Sequence, residues 1–283
     1  VNAIVAAFRA EGRNVPRKTV CKWVGVARSV AYYQPRKGTR VVKLDPDLSA
    51  RIKALIEAHP SRGIRFVWAQ LRFAQGIRVT RKKVHRIMRE RGWTVKQRKA
   101  GSRPRVPSSR SIAERPNERW ATDFALVHCG RDGWCAFAPV VDCCTREVLG
   151  WSLQLTARTK TAELALEEAL LARFGWVHGA PLGLKLRHDN GLVFGSRAYR
   201  ALAEDYGLAQ EYIAPYTPEQ NGLCERFIRT FKEECAWLHN FQDIGEARRA
   251  IAAFVEFYNT RRHHQALGNL TPAQYHQTRK DVA

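Results

Sequence analysis

The chain has 283 residues, with 48 Lys and Arg against 26 Asp and Glu and a formal net charge of +22. An apolar content of 45% with 8 Trp excludes a generally disordered chain, and the length suits about two domains. No apolar run approaches the ~20 residues that span a bilayer, and the N-terminus lacks a secretory pattern. The charge is unevenly placed. Residues 1–110 hold 28 basic and 5 acidic residues, whereas residues 111–283 hold 20 and 21. A basic part joined to a neutral part predicts one region that binds a polyanion and another that does something else. Seven Cys without CxxC spacing, two of them adjacent at Cys143 and Cys144, read as reduced thiols of a cytosolic protein. An opening at Val1 fits a trimmed chain, an alternative start or the downstream product of a frameshift.

In chain order, two short helices are predicted at Lys18–Val24 and Arg28–Tyr33, a helix-turn-helix arrangement within a segment 1–43. Residues 36–43 read as a basic spacer. A helical block over 44–95 follows. Asp47 is placed to cap a helix whose apolar Leu48, Ile52, Leu55 and Ile56 share one face, and His59-Pro60 ends it. Arg65–Phe73 makes the next helix. Thr80 caps Arg81–Arg91, where Val84, Ile87 and Met88 form a stripe surrounded by Arg81, Lys82, Lys83, Arg86 and Arg89. That helix is the candidate for contacting DNA phosphates, against the alternative of an ordinary solvated basic face. Residues 96–117, with three Pro, five Arg and four Ser, are too poor in large apolar side chains to fold alone and form a linker.

From 118 to 283 the pattern becomes that of an α/β domain with one mixed sheet. Strands are predicted at Trp120–His128, Trp134–Asp142, Glu147–Leu155, Leu184–Arg187 and Ala209–Ile213, five in all. Helices are predicted at Thr159–Phe174, Ser196–Tyr206, about Glu219–Leu238 and about Gly245–Asn259, with a loop at 215–218 and a polar tail.

Acidic residues within apolar strands draw attention, because burying a charge is costly unless it is paired or metal-bound. Asp123 lies in the first strand, Asp189 follows a short apolar strand, and Glu225 opens a helix. Each alone is a weak signal: an Asp before Asn-Gly is ordinarily a turn residue, and a Glu near a helix start ordinarily serves the helix dipole. Like charges ~4 Å apart repel by about 4 kcal/mol at an effective dielectric of 20, so three converging carboxylates require cations. Hard oxygen ligands select Mg²⁺ or Mn²⁺, and two such ions suit in-line displacement at phosphorus.

The strings HDNG (188–191), TPEQNG (217–222), ERF (225–227) and FYNTRRHHQALGNLTPAQY (257–275), with Lys232 seven residues beyond Glu225, carry a resemblance. The chain resembles the DDE transposases of the IS-three family of bacterial insertion sequences, specifically their second-frame product. DCCTRE (142–147) is similar to the IS-two subgroup. The resemblance implies a ribonuclease-H-like core after an all-α helix-turn-helix region, with Asp123, Asp189 and Glu225 as catalytic metal ligands. It also implies 3′-end hydrolysis at the element's terminal inverted repeats, strand transfer into target DNA, and Lys232 near the cleaved end. His188, Asn190, Gly191, Asn221 and Gly222 are site-adjacent. Implied partners are the upstream-frame protein, joined by frameshift, and an oligomer on DNA, in the bacterial cytoplasm at the nucleoid and not in a membrane. Pro60-Ser61-Arg62-Gly63-Ile64-Arg65 departs by replacing two expected aromatics, and Leu192 and Val193 replace polar residues. His263-His264 is a poor zinc site without a following Cys. The alternatives are a catalytically inactive DNA-binding remnant or regulator, and a nuclease without strand transfer.

Overall fold

The computed structural model describes residues 1–33, 44–95, 113–214 and 218–280. The basic spacer 36–43, most of the expected linker and residues 215–217 of the expected loop lie outside the described residues. The chain forms two compact units, Val1–Asp45 and Pro46–Ala283. Among the described residues no helix is long and apolar enough to cross a membrane.

The first unit holds α1 (Asn2–Ala10), α2 (Arg17–Trp23) and α3 (Arg28–Ala31), one helix more than its sequence pattern predicts. Val20 and Cys21 of α2 are buried, while Trp23 stays largely exposed.

The second unit opens with α4 (Pro46–Ala58), which buries Leu48 and Ile52, and α5 (Ile64–Ala69), which runs into a π-helical turn at Gln70–Ala74. The Thr80 hydroxyl accepts the Lys83 N–H at 3.3 Å and so caps α6 (Arg81–Glu90). Val84, Ile87 and Met88 of α6 are buried, as their spacing requires.

Six strands form one mixed sheet: β1 (Arg119–Thr122), β2 (Ala125–His128), β3 (Trp134–Asp142), β4 (Val148–Gln154), β5 (Lys185–His188) and β6 (Ala209–Tyr212). The count exceeds the expected five because the first strand is interrupted at Asp123-Phe124. Both pieces pair antiparallel with β3 in one unbroken register, Thr122 opposite Val140 and Ala125 opposite Phe137. The cause lies across the ladder. Trp151 of β4 faces Pro139 and sends its N–H outward to the Glu168 carboxylate (2.8 Å). In an antiparallel pair facing residues turn their polar groups the same way, both inward or both outward, so Pro139 turns its nitrogen toward β1 and β2. The register sets that nitrogen opposite Asp123, and proline has no N–H to give.

Both faces of the sheet are covered. Phe137, Val141 and Leu153 pack with Phe227 and Phe231 of α9 (Gly222–Glu234) and with Ile251 and Phe254 of α10 (Ile244–Thr260). Trp120, Ala138, Val140 and Leu186 pack with α7 (Thr159–Phe174) and α8 (Arg197–Asp205) on the other face. A Cβ at Gly150 would collide with the backbone of Ala165 and Ala169, so glycine permits α7 to lie directly on β4. The helix expected over about 219–238 is shorter: a 3₁₀ turn precedes α9, and Cys235 leaves helical geometry after it. The tail contains α11 (Pro272–Lys280).

Candidate active site

The parallel pairing of β1 with β5 sets Arg119 beside Lys185 and Ala121 beside Arg187. The same offset carries Asp123 to the level of Asp189, at the C-terminal ends of two adjacent parallel strands. Sites on α/β sheets gather at such edges. Asp123 Oδ1 accepts the Phe124 N–H (2.8 Å), and Asp189 Oδ1 accepts the Gly191 N–H (2.9 Å). Glu225 lies in the first turn of α9. Asn221, buried just before that helix, donates from Nδ2 to the Thr122 carbonyl (3.3 Å) and ties the helix start to the end of β1.

The three carboxylates are close enough to affect one another's charge. Burial pushes the Asp123 carboxyl up to about 6, and the charges of Asp189 and Glu225 push the same way. The Phe124 N–H and the Lys232 ammonium oppose the shift. Lys232 is two turns past Glu225 on α9 and half-buried. Among the described residues no three His, Cys, Asp or Glu side chains close around a common point that could hold an ion. The carboxylates share a field without forming a finished cage.

The other residues singled out from the sequence have distinct places. His188 is fully buried, stacked on Phe194 at 4.8 Å and edge-on to Tyr212 at 4.6 Å. Its Nδ1 donates to the Asp189 carbonyl (2.8 Å) while Nε2 accepts from Gln210, and burial lowers its pKa. His188 therefore steadies the Asp189 backbone. Asn190 donates to the Ile213 carbonyl (3.1 Å). A Cβ at Gly191 would stand 2.8 Å from Asp189 Oδ1, so glycine is needed for that carboxylate's position. A Cβ at Gly222 would meet nothing within 4 Å. On α6, Arg81, Lys82 and Arg86 are exposed and Lys83 is half-buried; the Arg81 guanidinium lies 5.6 Å from the Trp68 ring centre. His263 stacks on Phe73, and burial with nearby arginines holds His264 down at about 2. Both are packing residues.

Sequence reasoning missed Arg187 and Glu211. Glu211 accepts from Arg119 (2.7 Å) and Arg187 (3.0 Å), and Arg187 Nη1 reaches the Gln220 carbonyl (2.8 Å) just ahead of α9. Burial raises the Glu211 pKa, but these arginine hydrogen bonds hold it below the usual carboxylate range. A charged residue inside the short strand before Asp189 was the available signal.

Two families, each described as an integrase core domain, match residues 113–218 and 206–272, and an HTH-like domain matches residues 43–101. The insertion element IS407 31.7 kDa protein of Burkholderia multivorans is 28% identical over 93% of this chain and 91% of its own length. Transposase InsD of insertion element IS2 in Escherichia coli is 29% identical over 82% of this chain and 78% of its own length. The HTLV-2 integrase catalytic core solved with magnesium aligns with a TM-score of 0.45 and 17% identity, over 59% of this chain and 99% of that one. The chain is an integrase-core enzyme of ribonuclease-H-like fold with an HTH-like domain ahead of the core. Its relatives are insertion-element transposases, and DNA transposition is its function. Integrase cores of this family depend on a divalent metal ion, and a set of three hard carboxylates under mutual repulsion has the donor chemistry for one.

Proposed function

We propose that the chain cuts DNA at the ends of a mobile element and joins the freed 3′ hydroxyl to target DNA, using Asp123, Asp189 and Glu225 to hold two Mg²⁺ or Mn²⁺ ions. The observation that carries this reading is the common level of Asp123 and Asp189 on parallel strands, with Glu225 and Lys232 inside the field that sets Asp123's ionisation. When bound, such ions supply charge neutralisation and a clamp on the attacking and leaving oxygens. Asp123 is ionised above about pH 6 and is then a competent ligand. His188, Asn190 and Gly191 hold the Asp189 turn, and Asn221 holds Glu225's helix to β1. Lys232 contacts the DNA end, while Arg81, Lys82, Lys83 and Arg86 grip phosphates of the terminal repeat. The segments 1–43 and 44–95 serve DNA binding, 96–117 links them to the core over 118–283, and the upstream-frame protein completes an oligomer on DNA in the bacterial cytoplasm.

The test uses the chain, alone and fused to its upstream-frame partner, with duplexes from the DNA flanking the gene. Nicking and joining in Mg²⁺ or Mn²⁺, both abolished in Asp189→Asn, is the expected result. Cutting without joining indicates a nuclease, and retention of DNA without either reaction indicates a binding remnant.

A further inference from the structure

Helix α9 starts at the carboxylates and ends at Glu234, a residue with very different company. Arg262 grips Glu234 with two hydrogen bonds, Nε to Oε2 (2.9 Å) and Nη2 to Oε1 (2.7 Å). Arg62 reaches the same carboxylate from the turn between α4 and α5, with Nη2 2.8 Å from Oε2. The side chains of Arg62 and Glu234 are 4% and 10% exposed. The Arg62 guanidinium also packs against two rings, 4.3 Å from the centre of Phe66 and 4.5 Å from that of Phe257. Phe66 belongs to the HTH-like block and Phe257 to α10, so the cation is clamped across the junction between block and core.

Other interactions follow the same seam. Gln70 donates to the Arg261 carbonyl (2.9 Å), Arg65 to the Gln265 side chain (3.0 Å), and the His59 ring sits 5.1 Å from that of Phe257. α6 is fastened in turn to this surface through α5, where Trp68 Nε1 donates to the Val79 carbonyl (2.8 Å) just before the Thr80 cap. Aromatic packing alone would hold two surfaces together, but it tolerates sliding. A buried ion triad does not, because any shift leaves a charge without its partner. Its contribution is therefore to select one docking geometry.

We propose that Arg62, Glu234 and Arg262 form a latch that fixes the HTH-like block on the C-terminal end of α9, so that DNA gripped by α6 meets the carboxylates at one set reach and a single phosphate is cut. Arg62 and Glu234 are positioning residues in this scheme; neither touches the reacting atoms. The inference rests on the proposed roles of α6 and of Asp123, Asp189 and Glu225.

The experiment compares the full chain with Glu234→Gln and Arg62→Met on end-labelled duplexes from the DNA flanking the gene. Retention of DNA and the position of each cut are read separately. Wild type is expected to cut at one phosphate. Both variants are expected to retain DNA within about twofold, lose about tenfold of cutting at that phosphate and spread the remainder over neighbours. Arg62→Lys, which keeps the charge, is expected to restore much of the single cut. Hydrogen exchange on the same full-length proteins gives a readout without catalysis. Protection over 59–74 and 257–267 is expected to fall in Glu234→Gln, while β3 and α7 keep theirs and so report an intact core. Unchanged cut position together with unchanged protection overturns the latch. Reduced protection over the seam in a protein whose wild type never cuts supports the latch and rejects the catalytic reading instead.

Discussion

The two ends of α9 carry carboxylates nine residues apart that live in opposite electrostatic worlds. Glu225, at the first turn, adds to a field that already contains Asp123 and Asp189 and helps push Asp123 to about 6. Glu234, at the last turn, is held by two arginines at 2.7–2.9 Å. One end gathers like charges that act on one another with Lys232 nearby, and the other neutralises charge to join two pieces of structure. Glu234, balanced by two arginines, joins a junction, whereas Asp123 feels the repulsion of Asp189 and Glu225 more than the attraction of Lys232.

The largest test of this contrast is catalytic. Asp123→Asn or Asp189→Asn is expected to lower DNA cutting on the order of 10³-fold or more, with DNA retention in gel shift unchanged. Glu234→Ala acts chiefly on stability. It leaves buried arginines unpaired, and denaturant unfolding is expected to show a loss of about 3–5 kcal/mol. Glu225→Gln is expected to cost less than about 0.5 kcal/mol in the same assay, since it removes repulsion at an exposed position. A comparable loss from both substitutions would erase the difference between the two ends.

A smaller effect concerns pH. With its folded pKa raised from 3.8 to about 6, Asp123 holds a proton in the native state that the unfolded chain has released. Metal-free stability from this residue therefore falls as pH rises from about 4 to 6 and is level above. Asp123→Asn is expected to flatten that part of the stability curve, and Mn²⁺ titration of the wild type is expected to weaken as pH drops through about 6. Smaller again is the response of α6: Lys82→Ala or Arg86→Ala is expected to weaken DNA retention several-fold and to reduce the log–log salt slope by about 0.9 for each phosphate no longer neutralised. Equal retention at all salt concentrations would assign those side chains to an ordinary solvated face.

Much of this was legible in the chain itself. A β-rich run after the Arg131-Asp132-Gly133 turn placed β3 over Trp134–Asp142, and the apolar spacing of Thr159–Phe174 placed α7, in both cases to the residue. Asp123 stood out as an acid in an apolar strand, Asp189 as one just after such a strand, and Glu225 by its place at a helix start and the family spacing. The same rule also picks out Asp142 at the end of an apolar strand. There the structure gives a different answer: Asp142 accepts the N–H groups of Asn117, Cys144 and Thr145, each at 2.8 Å, and so closes a turn. Burial raises its pKa while those N–H groups hold it down. What distinguishes the two aspartates is hydrogen bonding from residues up to 25 positions away, which no local pattern reveals. The latch was invisible for a similar reason. Arg62 looked like a departure from an aromatic position, and its partner lies 172 residues downstream. A weak signal did exist, since an acid in the last turn of a helix opposes the helix dipole and needs another reason to be there.

The proline opposite Asp123 has a mechanical consequence. Elsewhere in a sheet, rotating a peptide unit breaks a ladder bond and drags the neighbouring strand along. At Asp123 the bond that Pro139 would have donated does not exist, so the carboxylate-bearing residue is a seam in an otherwise continuous sheet. Its backbone can shift there while β1 and β2 keep their register on either side.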